Sequence, residues 1–257
     1  MRTMIEALLY IYLFIVGLVF GSFFNVVGIR LAANQSIIYP RSYCPNCKRQ
    51  LTAMELIPVL SFLMQKGRCK GCQEPISFQY PLVECITALL FVTVPLGVGW
   101  SSELVIAFLL ISLLITVTVA DLENMIIPNK VLLFFGCLML VLRLFLHTSP
   151  WWDSYLGAIV AFFLLFLISL LSKGAMGGGD IKLFTVLGMF VGTAGVICTL
   201  FLASLFGLIY GVIQIARKVR RRKEPLPFAP FISIAAMIFY FFTDELNDFI
   251  QLFLIAM

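Results

Sequence analysis

Two aspartates lie at the ends of apolar segments, where ionisable side chains are costly and often functional. Asp121 closes the stretch "LITVTVAD", and Asp180 opens another apolar stretch after "GAMGGG". If the two carboxylates lie a few ångströms apart in a partly dry site, they cannot both ionise cheaply, so the pair shares one proton. One oxygen then activates a water while the other supplies a proton. The two residues therefore predict the chemistry of an aspartyl protease.

Three consecutive glycines, Gly177 to Gly179, precede Asp180. Glycine adopts positive φ and lets another backbone approach closely, and a protease needs such an approach to hold an extended peptide across its carboxylates. A nucleotide-cradling loop is a rival interpretation, but "GAMGGGDIK" matches neither the P-loop nor the dinucleotide fingerprint. A plain turn between helices with a solvated aspartate remains the stronger alternative. Lys182 is expected either to support Asp180 electrostatically or to extend to the membrane interface.

Four cysteines form two C-x2-C pairs, "CPNC" and "CKGC", with 21 residues between them. This spacing is close to that of four-thiolate zinc sites, and basic residues beside both pairs help to keep thiolates deprotonated. Four thiolates leave no open coordination position, so the metal would be structural Zn²⁺. Two disulfides or unused thiols are the alternative, which a reducing compartment disfavours. The predicted ligands are Cys44, Cys47, Cys69 and Cys72.

The composition places these residues in a membrane protein. Of the 257 residues 61% are hydrophobic and 12% are charged, with a mean hydropathy of +1.05, whereas soluble domains are about half apolar and a quarter charged. The apolar spans are 4–27, 80–98, 103–120, 131–147, 154–172, 182–194, 196–216 and 228–243. Because "GTAG" interrupts the region 182–216, that region forms either one bent helix or two. The expected fold is all-α and polytopic, with about seven or eight transmembrane helices and a small cytoplasmic zinc-binding loop domain.

Lys and Arg gather in alternate loops, which the positive-inside rule assigns to the cytoplasm. They occur throughout the first long loop, beside both aspartates and in the run "RKVRRRK" at 217–223. The opposite loops carry the three tryptophans, which suit a membrane interface. The only histidine, His147, lies at the end of a span, so the chain contains no His cluster for a metal or a Ser-His-Asp triad. The basic residues are explained by topology, and the net charge of +5 makes no case for a nucleic-acid partner.

Taken together, these motifs resemble the type IV prepilin peptidases, which are membrane aspartyl proteases with a Gly-x-Gly-Asp motif. The resemblance runs along most of the chain: "GSFFNVVGIRL" is similar to the first-helix signature, "RSYCPNCKRQL" and "GRCKGCQEPIS" to the zinc loop, and "YPLVECITALLF" to the second span. "DLENMIIPN" and "GAMGGGDIKLF" are similar to the two aspartate motifs. In "LPFAPFIS" the chain has Ala229 where the family pattern leads us to expect glycine.

The resemblance implies specific roles for the matching residues. Asp121 and Asp180 match the catalytic pair, Gly177 and Gly179 the motif glycines, and the four cysteines the metal ligands. Residues 1–100, with the zinc loop at about 30–79, would form a methyltransferase-associated domain, and residues 101–257 the transmembrane protease domain. Asn25 and Glu84 are suggested neighbours of the methyl-transfer site, with polar ties between helices as the equally good alternative.

The resemblance also implies an activity and a location. Members cleave the basic leader from prepilins or pseudopilins at the cytoplasmic face of the bacterial inner membrane. Many then methylate the new amino terminus with S-adenosylmethionine. A proton- or ion-coupled transporter using the two aspartates is the main alternative, but it predicts carboxylates near the bilayer midplane and an inverted repeat. A membrane scaffold without activity would leave the paired aspartates unexplained.

Overall fold

The computed structural model describes residues 2–148, 150–172, 176–217 and 226–243, without the side chains of residues 2 and 3. Its helices are α1 (Arg2–Ala32), α2 (Leu60–Met64), α3 (Gln79–Val98), α4 (Glu103–Asn124), α5 (Asn129–Phe145), α6 (Asp153–Leu171), α7 (Gly178–Ala216) and α8 (Ala229–Phe241). A 3₁₀ turn covers Ala53–Leu56. Within the described ranges the only β pairing consists of two isolated bridges. The predicted all-α fold is confirmed.

The helices are those of a multi-pass membrane protein. Five of the described helices are long and apolar enough to cross a membrane, namely α1 from Met4 onward, α3, α4, α6 and α7, and α8 is a shorter apolar helix. Large apolar side chains are exposed along α1 and α6, as expected for surfaces that face lipid. The count of seven or eight crossings stays a prediction. Of the basic run at 217–223, all but Arg217 lies outside the described residues.

Helix α4 lies at the centre of the bundle and carries Asp121 on its last turn. One face of α4, with Leu110 and Leu114, belongs to the apolar core shared with α5 to α8. The opposite face, with Ile111 and Ile115, belongs to a second core shared with α1 and α3. A helix that is apolar on all sides is stable only when it is surrounded. Asp121 is therefore attached to the most enclosed helix of the molecule.

Helix α7 turns back on itself at Gly192, whose φ of 69° and ψ of −174° are not helical. After this break, the Cα of Gly195 faces Phe239 near the end of α8, and Gly207 faces Phe228 just before its start. The second segment of α7 therefore runs antiparallel to α8, back toward the end of the bundle at which α7 begins. The interruption predicted at "GTAG" is confirmed, and it separates two helical segments.

Two ionic side chains hold the turn of α7. Arg143 of α5, only 3% exposed, donates to the carbonyls of Met189 and Phe190, each at 3.1 Å. Asp153 Oδ1, at the start of α6, accepts from the N–H of Thr193 at 3.3 Å. Terminal carbonyls and N–H groups are what a break between two helices leaves unpaired. Arg143 supplies a partner for the carbonyls before the break, and Asp153 supplies one for an N–H after it. Together they fix the place where α7 reverses.

Candidate active site

The two aspartates meet at one end of the bundle. Asp121 is 7% exposed on the last turn of α4, and Asp180 is half-buried on the first turn of α7. Their carboxylates are close enough for a direct electrostatic interaction. Helix packing thus places residues 59 positions apart in the chain at the same end of the bundle.

The start of α8 holds the carboxylate of Asp121 in place. Ala229 donates its backbone N–H to Asp121 Oδ2 at 2.8 Å. One turn earlier on α4, the hydroxyls of Thr118 and Ser233 are hydrogen-bonded at 2.8 Å, which fixes α8 against α4. Sequence analysis did not identify this support. The available signal was the "PFAP" segment, because proline suits the first turn of a helix, where backbone N–H groups lack partners within the helix.

The two motif glycines make room for different neighbours. A Cβ at Gly177 would lie 3.0 Å from Asp180 Oδ2, and the Asp180 carboxylate accepts from the Gly177 backbone N–H, as in one half of a capping box. A Cβ at Gly179 would lie 3.2 Å from the Cβ of Ile127, which follows Asp121 in the chain. These glycines do not use the positive φ that the residue type allows; among described glycines it occurs at Gly67, Gly99 and Gly192.

Lys182 lies on the exposed side of the same helical turn. Its Nζ donates to Asn129 Oδ1 at 2.9 Å, at the first residue of α5. This bond joins the start of α7, which carries Asp180, to the start of α5, the helix after Asp121. A support of Asp180 by its charge stays a prediction.

The four cysteines converge in the loop between α1 and α3. Their Sγ atoms all lie within 4.8 Å of one another, with Cys44 and Cys72 at 3.7 Å and Cys47 and Cys69 at 4.0 Å. A tetrahedral Zn²⁺ with Zn–S bonds of about 2.3 Å requires sulfur–sulfur distances of about 3.8 Å. The cluster therefore fits a metal ion, and all four thiols are free of disulfides.

The two cysteine pairs share one backbone pattern, although no internal repeat was expected. In each pair the first cysteine donates its N–H to the carbonyl five residues on, at 2.9 Å, and its own carbonyl accepts from the residue four positions on, again at 2.9 Å. That fourth residue has positive φ in both, 59° at Lys48 and 61° at Gln73. Two equivalent turns facing each other present four sulfurs to one point.

Hydrogen bonds adjust the thiols differently. Backbone N–H groups of Cys72 and Gly71 lower the pKa of Cys69 to about 6. The Arg49 backbone N–H lowers the pKa of Cys47, but hydrogen bonds with the other three thiols contribute to raising it, to about 11. Four sulfurs this close cannot all become thiolates without a cation between them, because like charges repel. A bound metal would supply that charge.

Arg49 ties the cysteine cluster to the adjoining turn. Its guanidinium forms two bonds with Glu55, at 2.6 and 3.1 Å, and a further side-chain bond with Cys69. The bonds from Arg49, with others from Thr52, lower the pKa of the buried Glu55 to about 2. Glu55 is therefore ionised at neutral pH. The pair braces the loop from outside the ligand set.

Asn25 and Glu84 join α1, α3 and the cysteine loop. Asn25 Nδ2 donates to the carbonyl of Tyr80 at 3.3 Å, and Glu84 Oε2 accepts from the N–H of Val59 at 2.7 Å. Gly21 of α1 packs against the Cα of Glu84, where a Cβ would lie at 2.8 Å. These contacts are the polar ties that the sequence allowed as the alternative to a role in methyl transfer.

Comparisons with known proteins cover most of the chain. The profile described as the bacterial peptidase A24 N-terminal domain matches residues 15–98, and that of the type IV leader peptidase family matches residues 108–212. A prepilin leader peptidase/N-methyltransferase of Bacillus subtilis is 43% identical over 92% of this chain and 96% of its own. The enzymes of the same name from Aeromonas hydrophila and Neisseria gonorrhoeae are 37% and 28% identical, over 82% and 90% of this chain and 75% and 90% of their own. No solved structure matches the chain significantly, and none of these findings supports the transporter alternative.

Proposed function

The chain belongs to the type IV leader peptidase family, and on that basis we propose that Asp121 and Asp180 carry its peptidase reaction. The protein processes prepilins as a leader peptidase and an N-methyltransferase, the two activities that the names of its relatives state. The observation that carries the assignment is the meeting of two buried or half-buried carboxylates from α4 and α7. Burying two ionisable groups in a membrane protein costs free energy, so such a pair indicates a functional site.

The proposed reaction starts with one proton shared by the pair. The ionised carboxylate takes a proton from a water, the water oxygen bonds to the carbonyl carbon of the scissile peptide, and the other carboxyl group protonates the carbonyl oxygen. The tetrahedral intermediate then returns one hydroxyl proton to the second carboxylate. Its C–N bond breaks, and the first carboxyl group gives its proton to the leaving amine. Both carboxyl groups end in their starting states.

We further propose that the four cysteines hold a structural Zn²⁺. The sulfur–sulfur distances of 3.7 and 4.0 Å support a tetrahedral site, and four protein ligands leave no open position at which a metal could act on a substrate. The bound ion would fix the two turns against each other. Its contribution is therefore to the folding of the loop beside α1 and α3.

The methyl-transfer activity is assigned to the N-terminal part of the chain. We propose residues 1–100, with the zinc loop at about 30–79, as the methyltransferase-associated domain and residues 101–257 as the protease domain. Both aspartates and their supports lie in the second part, whereas the cysteine loop lies in the first. S-adenosylmethionine would supply the methyl group, and the substrate amine must lose a proton before it accepts that group.

The active site is proposed to face the cytoplasm of a bacterium, at its inner membrane. The aspartates lie at span ends beside loops rich in Lys and Arg, and such loops stay on the cytoplasmic side. On that side a basic leader meets the site before the apolar helix of the pilin enters the bilayer. The leader therefore need not cross the membrane to be removed.

A reconstituted assay separates the two activities. The purified protein in lipid is incubated with a prepilin, with and without S-adenosylmethionine, and the products are analysed by mass spectrometry. We expect cleavage in both cases and methylation only with the donor. Asp121→Asn should fail to cleave the prepilin but should still methylate a pilin that was cleaved beforehand. Normal cleavage by this variant would contradict the assignment.

A further inference from the structure

A cavity of about 380 Å³ opens directly beside Asp121. Its walls come from three elements: Leu122 at the end of α4, Tyr210 and Gln214 near the end of α7, and Pro227, Pro230 and Phe231 around the start of α8. Leu122 follows Asp121 in the chain, and Ala229, between the two prolines, donates to the Asp121 carboxylate at 2.8 Å. The cavity therefore adjoins the segments that carry and support Asp121.

The lining fits an apolar side chain. Among the described residues that line it none is charged, and the rings of Tyr210 and Phe231 lie 5.4 Å apart along one wall. A volume of about 300 Å³ or more is typical of cavities that enclose a ligand. The described part of the lining therefore favours an apolar side chain over a basic one.

The backbone around Ala229 limits how a substrate is held there. Pro227 and Pro230 have no N–H, and the N–H of Ala229 between them bonds to Asp121. This segment therefore offers few donors for strand-like pairing with a peptide. Recognition at this side of the site must come mainly from side chains that fill the cavity.

We propose that this cavity is the specificity pocket for the first apolar side chain after the scissile bond, at the start of the mature pilin helix. The inference rests on the proposed function, in which a basic leader is cut from an apolar helix. In this arrangement the polar leader of the substrate ends at the carboxylates, and its apolar helix begins at the cavity. The leader residue lies on the other side of the aspartate pair.

Substrates and variants together test the pocket. In the assay, prepilins with Leu, Trp or Ala directly after the scissile bond are incubated with the wild type or with Leu122→Trp, in which the larger side chain would fill the cavity. We expect Leu122→Trp to lower the ratio of Leu to Ala cleavage about tenfold, the scale on which apolar pockets discriminate. Leu133→Trp, at a lipid-facing position of α5 that is 69% exposed, is the matched control and should leave the ratio unchanged.

Enlarging the pocket gives the converse test, which also decides the matter if Leu122→Trp fails to fold. Tyr210→Ala should raise the cleavage of the Trp substrate relative to the Leu substrate several-fold, whereas Leu208→Ala, 64% exposed on the same helix, should not. Unchanged ratios in Tyr210→Ala would overturn the pocket while cleavage itself still supports the peptidase. If the wild type cleaves no substrate, the proposed function fails as well.

Discussion

Neighbouring glycines of the Asp180 motif have different surroundings in the structure. Gly177 and Gly178 are neighbours in one motif, but only Gly177 faces the Asp180 carboxylate, and a Cβ at Gly178 would meet nothing within 4 Å. The requirement for glycine is therefore local to one position. It arises from contact with a catalytic candidate, since neither residue has positive φ.

Replacing these two glycines by alanine tests that difference. In Gly177→Ala the new methyl group would press on Asp180 Oδ2 and displace the carboxylate, so we expect prepilin cleavage to fall roughly ten- to a hundredfold. Gly178→Ala should cleave normally and unfold at a slightly higher temperature, because alanine favours a helix over glycine by up to about 1 kcal/mol. Equal effects of the two substitutions on the cleavage rate would show that the contact with Asp180 is unimportant.

Residues with distinctive chemistry were predictable from the sequence, and their supports were not. Asp121 and Asp180 are ionisable groups beside apolar spans, and the paired cysteines have a spacing that few other sites share. The support that Ala229 gives to Asp121 is a backbone N–H group, which every residue except proline carries. Only the folded arrangement of α4 and α8 shows which of them reach Asp121.

At the scale of helices, the position of Asp180 depends on both ends of the α7 segment that carries it. Gly179 packs against Ile127 at the start of that segment, and Arg143 binds the last carbonyls before Gly192. Helix boundaries were predicted within a few residues, because apolar length and glycine mark them. The Arg143 contacts were missed, because an arginine in an apolar span of one sequence does not identify its partners.

The arginine clamp is tested by Arg143→Gln. The substitution leaves the carbonyls of Met189 and Phe190 with fewer partners in a buried site, and an unsatisfied buried acceptor costs about 1–3 kcal/mol. We expect a clear fall in the thermal unfolding midpoint in detergent, followed by tryptophan fluorescence. Arg41→Gln, at an exposed loop position, should leave the midpoint unchanged. An equal midpoint for both variants would contradict the clamp.

The cysteine loop gives a second prediction at this scale. Purified protein should contain about one zinc per chain, and Cys44→Ser or Cys69→Ser should release it, because a serine hydroxyl is a poor replacement for a thiolate ligand. Loss of the metal should also make the loop more sensitive to proteolysis. Cys137→Ser, at an exposed position in α5, is the control. Elemental analysis that finds no zinc in protein prepared without chelator would refute the site.

At the scale of the whole molecule, the cysteine cluster and both aspartates lie at one end of the bundle, and Trp100 and Trp151 lie at exposed positions in loops at the other. Charge and hydropathy along the sequence predict which end of the bundle each loop occupies, because each loop is assigned by its own composition. The packing of α1 and α3 on one side of α4 and of α5 to α8 on the other was not predictable, because apolar helices carry little information about their neighbours.

The cytoplasmic orientation is tested with single cysteines in a protein that lacks its native ones. Cysteines at Asn124 and Ser172, both exposed at the aspartate end, should resist a membrane-impermeant thiol reagent in intact cells and react once the cells are opened. A cysteine at Ser101, in the loop between α3 and α4, should react from outside. Labelling of Asn124→Cys in intact cells would place the carboxylates on the wrong side for a cytoplasmic leader.

The most direct test of the central claim compares prepilin cleavage by the wild type, Asp121→Asn, Asp180→Asn and the double variant. Asparagine keeps the size of each side chain but removes its capacity to exchange a proton. If the two carboxylates act as a unit, each single variant should lose cleavage by about a thousandfold or more, and the double variant should be hardly worse than either. Methylation of a previously cleaved pilin by the same proteins confirms that they are folded. Near-normal cleavage by either single variant would contradict the account.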